Sequence, residues 1–211
     1  MKFFGVMNGL LLAACIVTVE AQNHPFYQSA RLIPKSATRA TFSGAGLYDD
    51  GAFRPGGALV YGSHITFGAG DRVNLIVQNN PKTEFFSDDR ISFNYLGLIT
   101  KLGLFHDRLA LCLPAGIVIS EYFSFQGEML LLWSLNPRSR AVVTLAPTVS
   151  LLAGIHSAVG MGCGLNVEIP VGKRGTTIIP EVGVSIWPLS EWEEEWAGEV
   201  YAGVAWSIRA W

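Results

Sequence analysis

Over most of this chain, apolar positions alternate with other positions at a period of two residues. Between 109 and 119, Leu109, Leu111, Leu113, Ala115, Ile117 and Ile119 share one parity, while Ala110, Cys112, Gly116 and Val118 take the other. The same period runs through 159–171, where Val159, Met161, Leu165, Val167 and Ile169 oppose Gly160, Gly162, Gly164, Asn166 and Glu168, and again through 200–210. A helix would repeat its apolar positions at 3.6 residues, so a period of two predicts strands with two unlike faces. The pattern predicts ten strands, at 39–48, 57–67, 72–79, 91–105, 108–119, 123–136, 140–153, 158–171, 176–187 and 198–210, with eight as the alternative count. Alternation is weak in the first two and ambiguous over 91–105, which leaves the direction of Lys101 open. Pro114, Pro147 and Pro180 fall inside strands, where a missing N–H removes a ladder bond and normally marks a bulge.

Most of these runs reach the ~9–11 residues that a tilted membrane-crossing strand requires, and they exceed the ~5–6 usual in soluble sheets. Their connections fall into two sets. Those at Gly68-Ala69-Gly70-Asp71, His106-Asp107, Pro137-Arg138-Ser139 and Gly172-Lys173-Arg174-Gly175 are tight, while 49–56, 79–90 and 188–197 are long and polar, with 120–122 and 154–157 short exceptions. Alternating short turns and longer loops is the connectivity of an up-and-down membrane barrel, with turns on the periplasmic side and loops outside. Charge follows the same division. Arg72, Arg108, Arg138, Arg140, Lys173 and Arg174 against Asp71 and Asp107 give the turns a net +4, whereas the loops carry eleven acids against three bases. Solvated strand ends also collect charge without any sorting, so this separation supports the topology without proving it. The starts Asp71-Arg72-Val73, Asp107-Arg108-Leu109 and Ser139-Arg140-Ala141 form a weak repeat spaced as successive hairpins would be.

Composition fits this reading. Of 211 residues, 50% are hydrophobic and only 15% charged, and glycine, a residue of bends and close contacts, occurs 23 times. The formal charge of −2 gives no general affinity for nucleic acid. The first residues, Met1-Lys2 followed by an apolar run to Val19 and then Glu20-Ala21, predict a secretory signal over 1–21. A retained helix is the alternative, although the run is about the minimum length for spanning. Leu12-Ala13-Ala14-Cys15 offers a second possibility, a lipoprotein box with lipidation at Cys15, but the apolar run continues beyond it. The expected organisation is a signal at 1–21, a periplasmic N-terminal segment at 22–38 and a barrel domain at 39–211. No later apolar run is long enough for a spanning helix, so a mature chain in a membrane must cross it as a closed barrel.

An export signal, ten strands of membrane length, short turns on one side and the ending Trp206-Ser207-Ile208-Arg209-Ala210-Trp211 together resemble small outer-membrane β-barrel proteins of Gram-negative bacteria. The resemblance spans roughly 26–211 and is architectural. It implies an all-β, single antiparallel up-and-down transmembrane barrel in the bacterial outer membrane. Outer-membrane lipid and, during biogenesis, the barrel-assembly machinery would be its partners. Members of that class usually end in an aromatic residue in phase with the lipid-facing positions, whereas Trp211 shares parity with Arg209 and Ser207. Trp133, Trp192, Trp196 and Trp206 are the expected interface aromatics.

No enzyme motif stands out. Gly160-Met161-Gly162-Cys163-Gly164 lies within one strand, whereas a nucleotide-binding turn needs a following helix. Ser63-His64 and His156-Ser157 are adjacent pairs, whose side chains point to opposite faces of a strand and so make no ready dyad. Cys112 has inward parity and Cys163 outward, and the sequence suggests neither a metal nor another cofactor. The expectation is a non-enzymatic envelope, surface-contact or narrow-passage role. The alternatives are a lipid-modifying barrel enzyme and a soluble secreted barrel binding an apolar ligand. The most specific expectation is an interior charge network at the turn end. If Val171 pairs with Thr176, Glu168 and Glu181 become inward neighbours, and by parity Arg72, Arg108, Arg140 and Arg209 supply the cations that two such carboxylates require. A further expectation places Glu191–Glu195 outside, near the lipid headgroups.

Overall fold

A computed structural model describes residues 27–49, 56–84, 92–119, 123–153, 158–172, 175–188 and 196–210. Ten antiparallel strands follow one another as β1 (Thr38–Asp49), β2 (Gly56–Gly68), β3 (Val73–Glu84), β4 (Ser92–Phe105), β5 (Leu109–Ile119), β6 (Phe123–Ser134), β7 (Val142–Ala153), β8 (Ala158–Val171), β9 (Thr176–Pro188) and β10 (Trp196–Ala210). Each pairs with its sequence neighbours, and β1 meets β10 from Thr38↔Ala210 to Asp49↔Glu199, closing the barrel. Ten strands, not eight, complete the circuit, and closure leaves no edge unpaired.

The predicted strands and the observed ones agree closely, and the differences have local causes. β3 runs on to Glu84 where the sequence suggests an end at 79, because its outward Asn79 and Pro81 lack the apolar signal that marks a lipid-facing strand. β6 stops at Ser134 and β7 begins at Val142, which makes a longer turn than expected. Asn136 staples that turn by donating to the Ala141 carbonyl (2.9 Å) and accepting from the Val143 N–H (2.7 Å). In the β4–β5 turn His106 and Asp107 both have positive φ, the geometry of a two-residue hairpin. Gly172 and Gly175 supply the positive φ needed between β8 and β9. Pro147 and Pro180 leave the register on either side of them unchanged, whereas the one shift in the β4–β5 ladder falls at Gly103/Phe105.

The outward parity of all ten strands is predominantly apolar. Leu98, Val182, Met161 and Val204 are among many side chains about half exposed. Soluble monomers rarely expose a contiguous apolar patch beyond a few hundred Å², so a continuous belt of this kind is a surface for hydrocarbon. Aromatics bound it on both sides: Phe42, Phe67, Phe105, Trp133 and Trp206 toward the turns, Tyr48, Tyr61 and Phe125 toward the loops. Trp133 and Trp206 are therefore outward, as expected. Trp196 opens β10 without a described side chain, and Trp192 lies outside the described residues together with Glu191–Glu195.

Inside, large rings lie over glycines of adjacent strands. A Cβ at Gly183 would stand 2.3 Å from the Tyr201 ring, and one at Gly116 would stand 2.8 Å from Tyr95. Gly183→Ala is expected to destabilise the barrel by about 1–3 kcal/mol through overpacking. Gly46→Ala, with nothing within 4 Å, is expected to be nearly silent. Chemical unfolding of the two variants in detergent measures the contrast.

Candidate functional site

The largest surprise is the position of the N-terminal segment. The sequence places residues 22–38 before the barrel as a periplasmic segment, yet of the described part Pro34, Lys35 and Ser36 are exposed and residues 27–33 enter the lumen at the turn end. Tyr27, Gln28, Ser29, Ala30 and Ile33 are buried there. The Tyr27 N–H donates to Glu181 Oε2 (2.5 Å), and its phenol donates to the Gly44 carbonyl (3.2 Å). Asn166 Nδ2 donates to the Gln28 carbonyl (2.9 Å). Lys101 Nζ donates to the carbonyls of Ser29 and Arg31, both at 2.6 Å. The Ala30 N–H donates to Ser134 Oγ (2.9 Å), and that hydroxyl also meets Thr144 Oγ1 at 2.9 Å. Asn74, in the amide orientation that satisfies both groups, accepts from the Ile33 N–H (2.9 Å) and donates to its carbonyl (3.2 Å).

The wall around the segment has two characters. On β3 to β7, Ile76, Ile99, Ala110, Cys112, Leu130, Leu132 and Ala146 form an apolar cluster that takes in Ala30. Opposite it, Glu168 and Glu181 are buried on β8 and β9. The ladder pairs Val171 with Thr176 and Asn166 with Glu181, the register expected from the tight turn. Glu168 forms an ion pair with Arg39 Nη2 at 3.1 Å and accepts from Ser29 Oγ. Glu181 accepts from the Tyr201 phenol at 2.9 Å.

The carboxylates thus sit where parity places them, but other cations face them. Arg72 and Arg108 precede the first residue of β3 and β5, and Arg140 lies ahead of β7, so the alternation of the strands does not govern these side chains, which are exposed. Arg209 has the inward parity but lies one residue from the end of β10 and is also exposed. Arg39, on weakly alternating β1, and Lys101, buried on β4, provide the interior charge instead. Arg31 closes the entrance from within the segment, donating through Nε (3.0 Å) and Nη2 to the Pro137 carbonyl and through Nη2 to that of Ser139 (3.0 Å).

Among the described residues the other candidates do not gather into a catalytic arrangement. His64 is buried on the inner face of β2 while Ser63 has the opposite parity, and His156-Ser157 lies outside the described residues. Cys112 is buried and Cys163 exposed, both as free thiols. Among the described residues no group of three or more His, Cys, Asp or Glu is placed to hold a metal. In the loop half of the lumen, Gln126 Nε2 donates to Glu128 Oε1 (2.5 Å), and Glu128 is register partner to Ser150.

No protein-family model and no curated sequence matches the chain. Among solved structures it is similar to the translocator domain of the autotransporter NalP from Neisseria meningitidis, at 10% identity and a TM-score of 0.49, covering 98% of this chain and 96% of that one. It is also similar to the KdgM porin in complex with disordered oligogalacturonate, at 10% identity and a TM-score of 0.44, covering 80% and 98%. The outer membrane protein OprG from Pseudomonas aeruginosa is similar at 10% identity and a TM-score of 0.35, covering 87% and 100%. The likeness is confined to barrel architecture.

Proposed function

We propose that this chain is an outer-membrane barrel with a non-enzymatic role, forming a narrow passage that its own N-terminal segment holds shut at the periplasmic turn end. One observation carries the reading. Side chains from β3, β4, β6, β8 and β9 hold the segment from most of the circumference, so that residues 27–33 occupy the lumen. Main-chain groups taken out of water must find such partners, because each one left unsatisfied costs about 1–3 kcal/mol. The described segment joins the barrel covalently through β1, so withdrawal of residues 27–33 would break these bonds without disturbing a ladder.

In planar bilayers the intact protein is expected to be silent, and a variant lacking residues 22–34 is expected to show steady conductance steps. A deletion variant that remains folded on an unheated gel but is as silent as the parent would count against a passage.

A further inference from the structure

The bonds that seat the segment are directed mainly at its main chain. Glu181 takes the Tyr27 N–H, Asn166 reaches the Gln28 carbonyl, and Lys101 reaches the carbonyls of Ser29 and Arg31. Ser134 takes the Ala30 N–H, and Asn74 pairs with both main-chain groups of Ile33. Seven backbone groups are thus satisfied by five wall side chains. The segment's own side chains add fewer contacts: Ser29 to Glu168, Tyr27 to a β1 carbonyl, Gln28 to Lys101 at 3.4 Å, and Arg31 at the entrance. Two of its side chains are enclosed by apolar wall: the small Ala30 in the cluster on β3 to β7, and Tyr27 against Ala45, Ile179 and Ala205. Recognition through backbone amides carries little sequence preference, and specificity then comes from the few pockets that accept particular side chains.

We propose that the turn-end half of the lumen is a receptor for an extended polypeptide, occupied in cis by residues 27–33 and open to another peptide in trans once that segment is released. The ligand class is an unfolded or terminal peptide stretch with an aromatic residue at its inner end, a small residue at its centre and a cation at its outward end. A small residue is required because Ala30 sits within the cluster of Ile76, Ile99, Leu130 and Leu132. A cation suits the outward end because the Pro137 and Ser139 carbonyls there accept from Arg31. This inference shares with the passage reading only the seating of the segment, and peptide binding is measured separately from conductance.

The test uses the whole chain. Pro34, Lys35 and Ser36 are exposed, so a protease site inserted between Lys35 and Ser36 can be cut after the barrel has folded with its segment in place. A fluorescent peptide of residues 26–35 is then added to the cut and to the uncut protein. Saturable binding to the cut barrel alone is expected. Retention of the cut segment in mass spectra of the folded barrel, with release by excess unlabelled peptide, supports the proposal equally. A peptide with Gln28 and Arg31 changed to alanine should bind within about tenfold of the parent, whereas Tyr27→Ala, which empties the space against Ala45, Ile179 and Ala205, should weaken it by more than about tenfold. One N-methylated at Ala30, which loses the bond to Ser134, should weaken by at least about tenfold. A cut barrel that stays folded yet binds no peptide would overturn the proposal, as would a retained segment that excess peptide never displaces. So would a collapse of affinity in the peptide with Gln28 and Arg31 changed to alanine, which would assign recognition to those polar side chains.

Discussion

Glu168→Gln is expected to lower the stability of the folded barrel by roughly 3–5 kcal/mol, the usual cost of removing one partner from a buried charged pair. Glu168 is 3% exposed, accepts from both Arg39 and Ser29, and lies beside a second buried carboxylate, Glu181. The turn-end lumen holds two acids, Glu168 and Glu181, against Arg39 and Lys101. Neutralising one acid leaves an excess of positive charge around the buried Lys101 and the partly buried Arg39. A glutamine keeps the shape, so the loss reports charge and not a cavity. Arg39→Gln combined with Glu168→Gln should cost less than the two single changes added together, because the pair is then removed as a unit. Denaturant unfolding of the four proteins measures this coupling. Single changes that simply add would show that Arg39 and Glu168 do not act on each other.

Leu98→Arg is expected to have the next largest effect, about 2–4 kcal/mol in a lipid bilayer, the cost of a guanidinium on the lipid face at the membrane midplane. Leu98 lies at the centre of β4, points outward and is about half exposed. The sign decides between environments. On a soluble barrel an exposed leucine replaced by arginine would be neutral or beneficial, whereas in hydrocarbon it must be costly. Tyr48→Arg, at the loop-side girdle, should cost no more than about 1 kcal/mol, because the penalty falls toward the interface. Equilibrium unfolding from lipid vesicles checks the difference. Equal effects at the two positions would remove the membrane from the account.

The fold was legible because alternation is a side-chain property and a barrel expresses it on every strand. The β8–β9 register could be read from one tight turn, since Val171 opposite Thr176 forces Asn166 opposite Glu181. Two parts of the site were not legible, for different reasons. Parity points to Arg72, Arg108 and Arg140, but these residues precede the ladders, where parity has no physical meaning, and the interior cations are Arg39 and Lys101. Lys101 lies in a run where Leu96, Leu98, Leu102 and Leu104 alternate outward but Ile99 also faces in, so both faces look apolar. The inserted segment left no pattern at all. Its bonds use main-chain atoms, which every residue has, and the wall groups that bind it come from five strands remote in sequence.

The segment's position also bears on how long the folded barrel persists once formed. β1 and β10 meet only when the last strand arrives, and that seam joins residues nearly a whole chain length apart, a closure that is entropically costly and slow. Residues 27–33 lead into β1 but are tied to β8 and β9 on the far side of β10, and the Arg39–Glu168 pair spans the same gap. These bonds reach across the seam, so their full geometry is expected only once the ring is complete. Interactions formed after the barrier slow escape without hastening arrival. Loss of the segment should therefore be felt first in the rate of unfolding, with the barrel assembling at much the same speed but opening sooner along its seam.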